Sequence, residues 1–280
     1  MTRRDKARLV LERLREKIPR PETELAYRNP FELLVAVILS AQCTDARVNM
    51  VTPALFGAFP TPEAMAAAEV DEVLQFIRSV SYPNQKAKAL VETARMIVEE
   101  FGGEVPRRHE DLTRLKGVGR KTANVVVAVA FDEPAIAVDT HVFRVANRIG
   151  LVKDAPTPRA VEDGLARVIP KVEWAEAHHL LILHGRYTCT ARQPAHGRCP
   201  LTDLCDYHAA VRQLPPPMEG LDKKRGAYFC AREHRYFDEP TAKVDRQGVE
   251  QVACPHCGST NVFLTRTGET TRRVKDYRVG

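Results

Sequence analysis

The sequence predicts an all-α main body followed by a small β-rich module at the C-terminus. Apolar residues recur at helical spacing along most of the first 210 residues, and no convincing apolar–polar alternation appears before residue 225. Six of the seven cysteines (Cys189, Cys199, Cys205, Cys230, Cys254 and Cys257) crowd into the last third, with Cys43 apart from them. A chain of 280 residues has room for about two domains.

Residues 4–18 carry Ala7, Leu9, Val10, Leu11, Leu14 and Ile18 near helical spacing, with Arg and Lys between them. The apolar stretch 31–40 has a length that a buried strand would also allow. Its continuation through 41–51 favours one long buried helix. Amphipathic helices are expected over 62–80, 84–102, 108–115, 119–131, 140–150, 157–169 and 173–184. Leu214-Pro-Pro-Pro-Met-Glu-Gly220 breaks that pattern and reads as a semi-rigid linker. Beyond it, 227–237 and 261–267 are rich in aromatic and β-branched residues and are expected as short strands.

Composition narrows the function classes. The longest apolar runs, 33–39 and 125–131, fall far short of the roughly 20 residues a membrane helix needs. The N-terminus alternates basic and apolar residues and is no secretory signal. An odd cysteine count in a chain this long argues against a disulfide scaffold and for metal-bound thiolates in a reducing, cytoplasmic compartment, nucleoid-associated if bacterial. The net charge of +6 points mildly to nucleic acid. Much of the excess lies in residues 221–280, with 12 Lys and Arg against 8 Asp and Glu.

The most informative stretch is Leu115-Lys-Gly-Val-Gly-Arg-Lys-Thr-Ala-Asn124. Gly117 and Gly119 allow a tight reversal between two helices and leave backbone N–H groups open to a phosphate, which holds DNA without reading its sequence. A plain helix–helix turn would also place two glycines there. Lys121 falls in the first turn of the following helix, where the helix dipole disfavours the ammonium and favours the neutral, nucleophilic amine. Asp139, in Ala137-Val-Asp-Thr-His-Val-Phe-Arg144, follows an apolar approach and starts another helix. Singly these are a surface lysine and an ordinary cap; together with the hairpin they describe one site.

Four blocks in order resemble the endonuclease III family, bifunctional DNA glycosylases of the helix-hairpin-helix superfamily. They are Leu39-Ser-Ala-Gln-Cys-Thr-Asp45, Gly117-Val-Gly-Arg-Lys-Thr-Ala-Asn-Val125, Val138-Asp-Thr-His-Val-Phe-Arg-Val-Ala-Asn-Arg148 and His184-Gly-Arg-Tyr-Thr-Cys189. The resemblance covers about residues 1–210. It implies a two-lobed helix-hairpin-helix glycosylase fold with the active site in the cleft. Residues 23–136 would form a six-helix barrel lobe, and 1–22 with 137–213 a second lobe holding an iron–sulfur loop. A linker at 214–224 and a zinc-ribbon-like module at 225–280 would follow.

The resemblance implies that Lys121 attacks C1′ of a damaged nucleotide, and that Asp139 activates it and stabilises the cationic sugar. A Schiff base and β-elimination 3′ to the lesion would follow, with oxidised pyrimidines in duplex DNA as substrate and a monomer as the working unit. The implied DNA-contacting set is Gln42, Tyr82, Lys116, Gly117, Val118, Gly119, His141, Arg144 and Arg186. Gln42 and Tyr82 would fill the space left by the extruded nucleotide. Related adenine glycosylases lack the lysine. A monofunctional glycosylase for uracil, mismatched thymine or adenine is the nearer alternative, and a non-catalytic DNA-binding protein the more distant one.

The family holds a [4Fe–4S] cluster on four cysteines. Here the second position is histidine: Cys189, His196, Cys199 and Cys205. A Cys3His cluster, a labile or three-iron cluster, and loss of the cluster all stay open. In the tail, Cys254-Pro-His-Cys257 has the spacing of a metal knuckle, and Cys230 and His234 supply upstream partners for a Cys3His zinc site. A module of about 55 residues has little core, so a metal would compensate.

Overall fold

The computed structural model describes residues 1–212, 218–244 and 250–271. Residues 214–217 of the expected linker lie outside the described residues. The chain divides into two compact units, Met1–Pro200 and Leu201–Gly280.

The first unit is helical. α1 (Arg3–Lys17) opens with a capping box in which Thr2 and Asp5 satisfy each other's backbone N–H groups. The single helix expected over 31–51 is two helices, α2 (Pro30–Ser40) and α3 (Asp45–Ala58). Gln42 takes φ +54° between them, and the Thr44 hydroxyl caps α3 by accepting from the Arg47 N–H at 3.3 Å. Backbone in the left-handed region cannot continue a helix, and Thr followed by Asp is itself a start signal. The expected helix at 62–80 likewise splits into α4 (Pro62–Ala66) and α5 (Val70–Ile77). Glu69 and Glu72 form the capping box that begins the second piece.

α6 (Pro83–Phe101), α7 (His109–Leu112), α8 (Arg120–Ala130), α9 (Thr140–Ile149), α10 (Pro158–Val168) and α11 (Trp174–Tyr187) occupy the stretches where periodicity predicts helices. α2 forms the centre of one core, with Leu33, Leu34, Val35, Ala36 and Leu39 fully buried. Each such leucine or valine removed from water is worth about 1.5–3 kcal/mol. α3, α6 and α8 pack on α2, while α9 packs on α10 and α11, and α1 on α10 and α11.

The second unit begins with α12 (Asp206–Arg212) and then turns to strands. β1 (Tyr228–Cys230) is central in an antiparallel sheet of order β2-β1-β5, with β2 at Arg235–Phe237 and β5 at Val262–Leu264. These lie within the two stretches predicted as strands. A second antiparallel pair, β3 (Thr241–Val244) and β4 (Glu250–Ala253), has no counterpart in the sequence expectation. β3 is exposed along its length, so burial leaves no hydrophobic pattern to read there.

Candidate functional site

Gly117 adopts φ +73°, and a Cβ there would stand 3.0 Å from the Ala89 side chain, so the reversal requires glycine. The Thr93 hydroxyl donates to the Lys116 carbonyl at 2.6 Å and fixes the hairpin against α6. Gly119 caps α8 without a side-chain hydrogen bond, so no side chain occupies the first turn's N–H groups, the geometry that accepts an anion. Lys116, Gly117 and Gly119 are exposed, whereas Val118 turns inward and is 6% exposed.

Lys121 is exposed in that first turn. Asp139 caps α9, its Oδ1 accepting from the N–H groups of His141 and Val142, both at 2.8 Å. The carboxylate is thereby held in one orientation at the positive end of a helix. Lys121 and Asp139 line one narrow pocket of about 60 Å³, with Ser40, Asp45, His178 and Arg186 around it. A larger cavity of about 710 Å³, lined by Arg107, Arg120, Glu133, Glu162 and Lys171, contains neither residue of the pair.

Two polar residues that sequence reasoning passed over hold this pocket in shape. The Asn124 amide on α8 donates to the Ile136 carbonyl at 3.0 Å, tying the helix of Lys121 to the loop that delivers Asp139. His178 on α11 is hydrogen-bonded to the Ala137 backbone, and its Nδ1 is buried without a partner. Burial, reinforced by His179 and Lys121, drives its pKa down to about 3, so the ring is neutral at physiological pH. Burial also lowers the pKa of His141 at the start of α9. The signal was present: a polar residue at an apolar position of a helical pattern.

Gln42 and Tyr82 are both exposed, Tyr82 by 57%, and both take positive φ, +54° and +55°. The Ser81 hydroxyl donates to the Gln42 carbonyl at 2.6 Å, so the two loops are joined. Lys86, buried on α6, donates to the carbonyls of Leu39 and Ala41 at 2.8 and 2.7 Å. Those carbonyls end α2 and start the Gln42 loop, and burial lowers the Lys86 pKa. A lysine used this way is not legible from sequence, where it reads as a solvated charge.

Two expected DNA contacts are positioned differently from the expectation. Arg144 is turned inward rather than toward DNA: it is 8% exposed and donates to the carbonyls of Cys189 (3.1 Å) and Gly185 (2.9 Å). An arginine can occupy an interior position when its guanidinium is saturated by carbonyls, which no periodicity reveals. Arg186 pairs with Asp45 at 2.6 Å and with Glu24, so two carboxylates already face its charge. The Tyr187 hydroxyl also donates to Glu24.

Near the iron–sulfur loop, Arg148 contributes an N–H to Cys189 Sγ at 3.7 Å and donates to the carbonyls of Thr190 and Ala191, both at 2.8 Å. The Sγ of Cys199 lies 3.8 Å from His184 Nε2. His196 opens a single 3-10 turn, His196–Arg198. Donors aimed at thiolate sulfur are the environment a cluster uses. In the second unit, the Sγ atoms of Cys230, Cys254 and Cys257 all lie within 4.8 Å of one another, with Cys230 and Cys254 buried. Neither Glu233 nor His234 is among them. His234 is exposed, takes φ +54° and packs its ring edge against Phe229 instead.

Residues 35–171 match the model of the HhH-GPD superfamily of base excision DNA repair proteins, and residues 189–205 that of the iron–sulfur binding domain of endonuclease III. Endonuclease III of Bacillus subtilis is 50% identical over 70% of this chain and 89% of its own length. That of Escherichia coli K12 is 48% identical over 72% of this chain and 95% of its own. A solved structure of a trapped endonuclease III–DNA covalent intermediate superposes with a TM-score of 0.73 at 45% identity, covering 76% of this chain and all of that one.

Proposed function

The chain belongs to the endonuclease III family and is a bifunctional glycosylase and AP lyase of base excision repair, and from that premise we propose that it removes oxidised pyrimidines from duplex DNA with Lys121 as nucleophile and Asp139 as its partner. The observation that carries this assignment is the single pocket that both side chains line. The Lys121 amine forms a bond to C1′ as the bond from C1′ to the base breaks. The Asp139 carboxylate accepts the proton that the amine nitrogen sheds once it has bonded to C1′, and offsets positive charge on the sugar. Opening of the sugar gives a Schiff base. Loss of a C2′ proton then expels the 3′ phosphate, and water releases the enzyme.

Gln42 and Tyr82 enter the stack from two loops while the uncapped turn of α8 holds a phosphate of the same strand. Cys189, His196, Cys199 and Cys205 hold the iron–sulfur cluster, whose contribution is to shape the loop they belong to. Cys230, Cys254 and Cys257 bind zinc. The protein works as a monomer in the cytoplasm. A panel of duplexes, each with one oxidised pyrimidine, uracil or a mismatch, tests the reading when base release and strand scission are measured separately. Joint release and scission on oxidised pyrimidines is expected; release without scission would refute it. Iron and sulfide analysis of anaerobically purified protein tests the cluster, and an iron-free, colourless preparation would exclude it.

A further inference from the structure

The second unit contains two turns that share two features, a pairing of the first residue with the sixth and a fifth residue at positive φ. In one, Cys254-x-x-Cys257 is followed by Gly258 at φ +64°. The Cys254 N–H donates to the Ser259 carbonyl, and the Gly258 N–H to the Cys254 carbonyl, both at 2.9 Å. The turn therefore closes between its first and sixth residues, with the fifth in the left-handed region. In the other, Cys230 pairs with Arg235, again the sixth residue, across β1 and β2. The fifth residue is His234, at φ +54°.

Aligned on these two features, Glu233 stands where Cys257 stands, and His234 where Gly258 stands. The position after the second ligand is one glycine fills without strain, and a histidine held there at positive φ is a cost the turn imposes. Its ring is accounted for by Phe229. The three thiols already make three corners of a metal site, and a tetrahedral ion needs a fourth donor. Carboxylate oxygen is an accepted zinc ligand. Glu233 is exposed between Arg232 and Arg235, whose charges offset the excess negative charge of three thiolates and a carboxylate, and its carboxylate reaches the ion only after the side chain turns from the position it takes here, outside the thiol group.

We propose that Glu233 supplies the fourth ligand of a Cys3Glu zinc site in which Cys230, Cys254 and Cys257 are the other three. The proposal rests on the reading that these cysteines bind zinc, and the test separates the two. Cobalt(II) serves as the probe on the full-length protein, with Cys254→Ser as the blank that removes any signal from the iron–sulfur loop. Titration of the parent should give the red d–d bands of a tetrahedral thiolate site. Glu233→Gln should weaken cobalt and zinc binding about 10-fold or more, by analogy with the loss seen when a supporting ligand interaction is removed. His234→Ala should leave the spectrum and the affinity unchanged. Glu233→Cys should tighten binding and intensify the sulfur-to-cobalt charge transfer, a gain that a merely structural residue would not produce. Unchanged binding in Glu233→Gln, or weakened binding in His234→Ala alone, would overturn Glu233 while leaving the three-cysteine site standing. A parent with no cobalt signal above the Cys254→Ser blank would overturn both.

Discussion

Met1–Pro200 buries whole helical faces, with α2 alone placing nine successive side chains, Phe31 to Leu39, in the interior. Leu201–Gly280 has little to bury. Among its described residues, glycines aside, the interior comes down to Leu201, Phe229, Cys230, Phe237, Ala253, Cys254, Val262, Phe263 and the polar Thr265. Two of these are cysteines of the thiol cluster. In the first unit, apolar area fixes the frame, and polar groups such as Asn124, His178 and Lys86 trim the site within it. In the second, the proposed zinc site would replace area, a recourse open to a module with little core. The two units should therefore fail under different perturbations.

The largest separation is expected from Cys254→Ser. Structural zinc in small domains is worth about 10–16 kcal/mol of apparent binding energy, so its loss should unfold the strands of the second unit. Base release by the first unit should be unchanged. Amide exchange read separately for the two units checks this, and equal loss of protection in both would break the comparison. In the first unit, Asp139→Asn should lower base release by roughly 10²–10⁴-fold, the range for removing a positioned general base. Single-turnover rates report it. The second unit's metal content should not change.

Lys86→Met should act more gently. It leaves the carbonyls of Leu39 and Ala41 without their donor, a cost of about 1–3 kcal/mol. Base release from duplex DNA should fall because the Gln42 loop loosens. Release from an already unpaired lesion should fall less, since less of the stack must be opened. Equal losses on both substrates would remove Lys86 from the positioning of that loop. The smallest effect concerns acid. His178 has a folded pKa of about 3 against 6.5 in the unfolded chain, so the unfolded state takes up the proton first as pH falls. Stability is fully present above about 6.5 and declines by about 1 kcal/mol per pH unit on acidification toward the folded value. Denaturant midpoints between pH 6.5 and 5 should show a steeper slope in the parent than in His178→Gln.

The sequence conveys the helical body and the hairpin readily, because 3.6-residue periodicity and two glycines are local signals. It conveys breaks less well. The stretch 31–51 is apolar throughout, and the interruption at Gln42 is marked only by the Thr44–Asp45 start signal. The proposed catalytic pair is legible because both side chains sit at helix starts, where dipole and capping constrain residue type. Arg144, Lys86, Asn124 and His178 owe their roles to carbonyls or groups far along the chain, and a single sequence does not display such partners. The same holds for His234: spacing makes it a candidate ligand, and in the structure it lies outside the group of three thiols, at φ +54°.

The most direct test of the assignment is reductive trapping. Incubated with borohydride and a duplex carrying an oxidised pyrimidine, the parent should form a covalent protein–DNA adduct, while Lys121→Gln should bind the duplex and form none. An adduct formed equally by Lys121→Gln, or no adduct with the parent, would contradict the account.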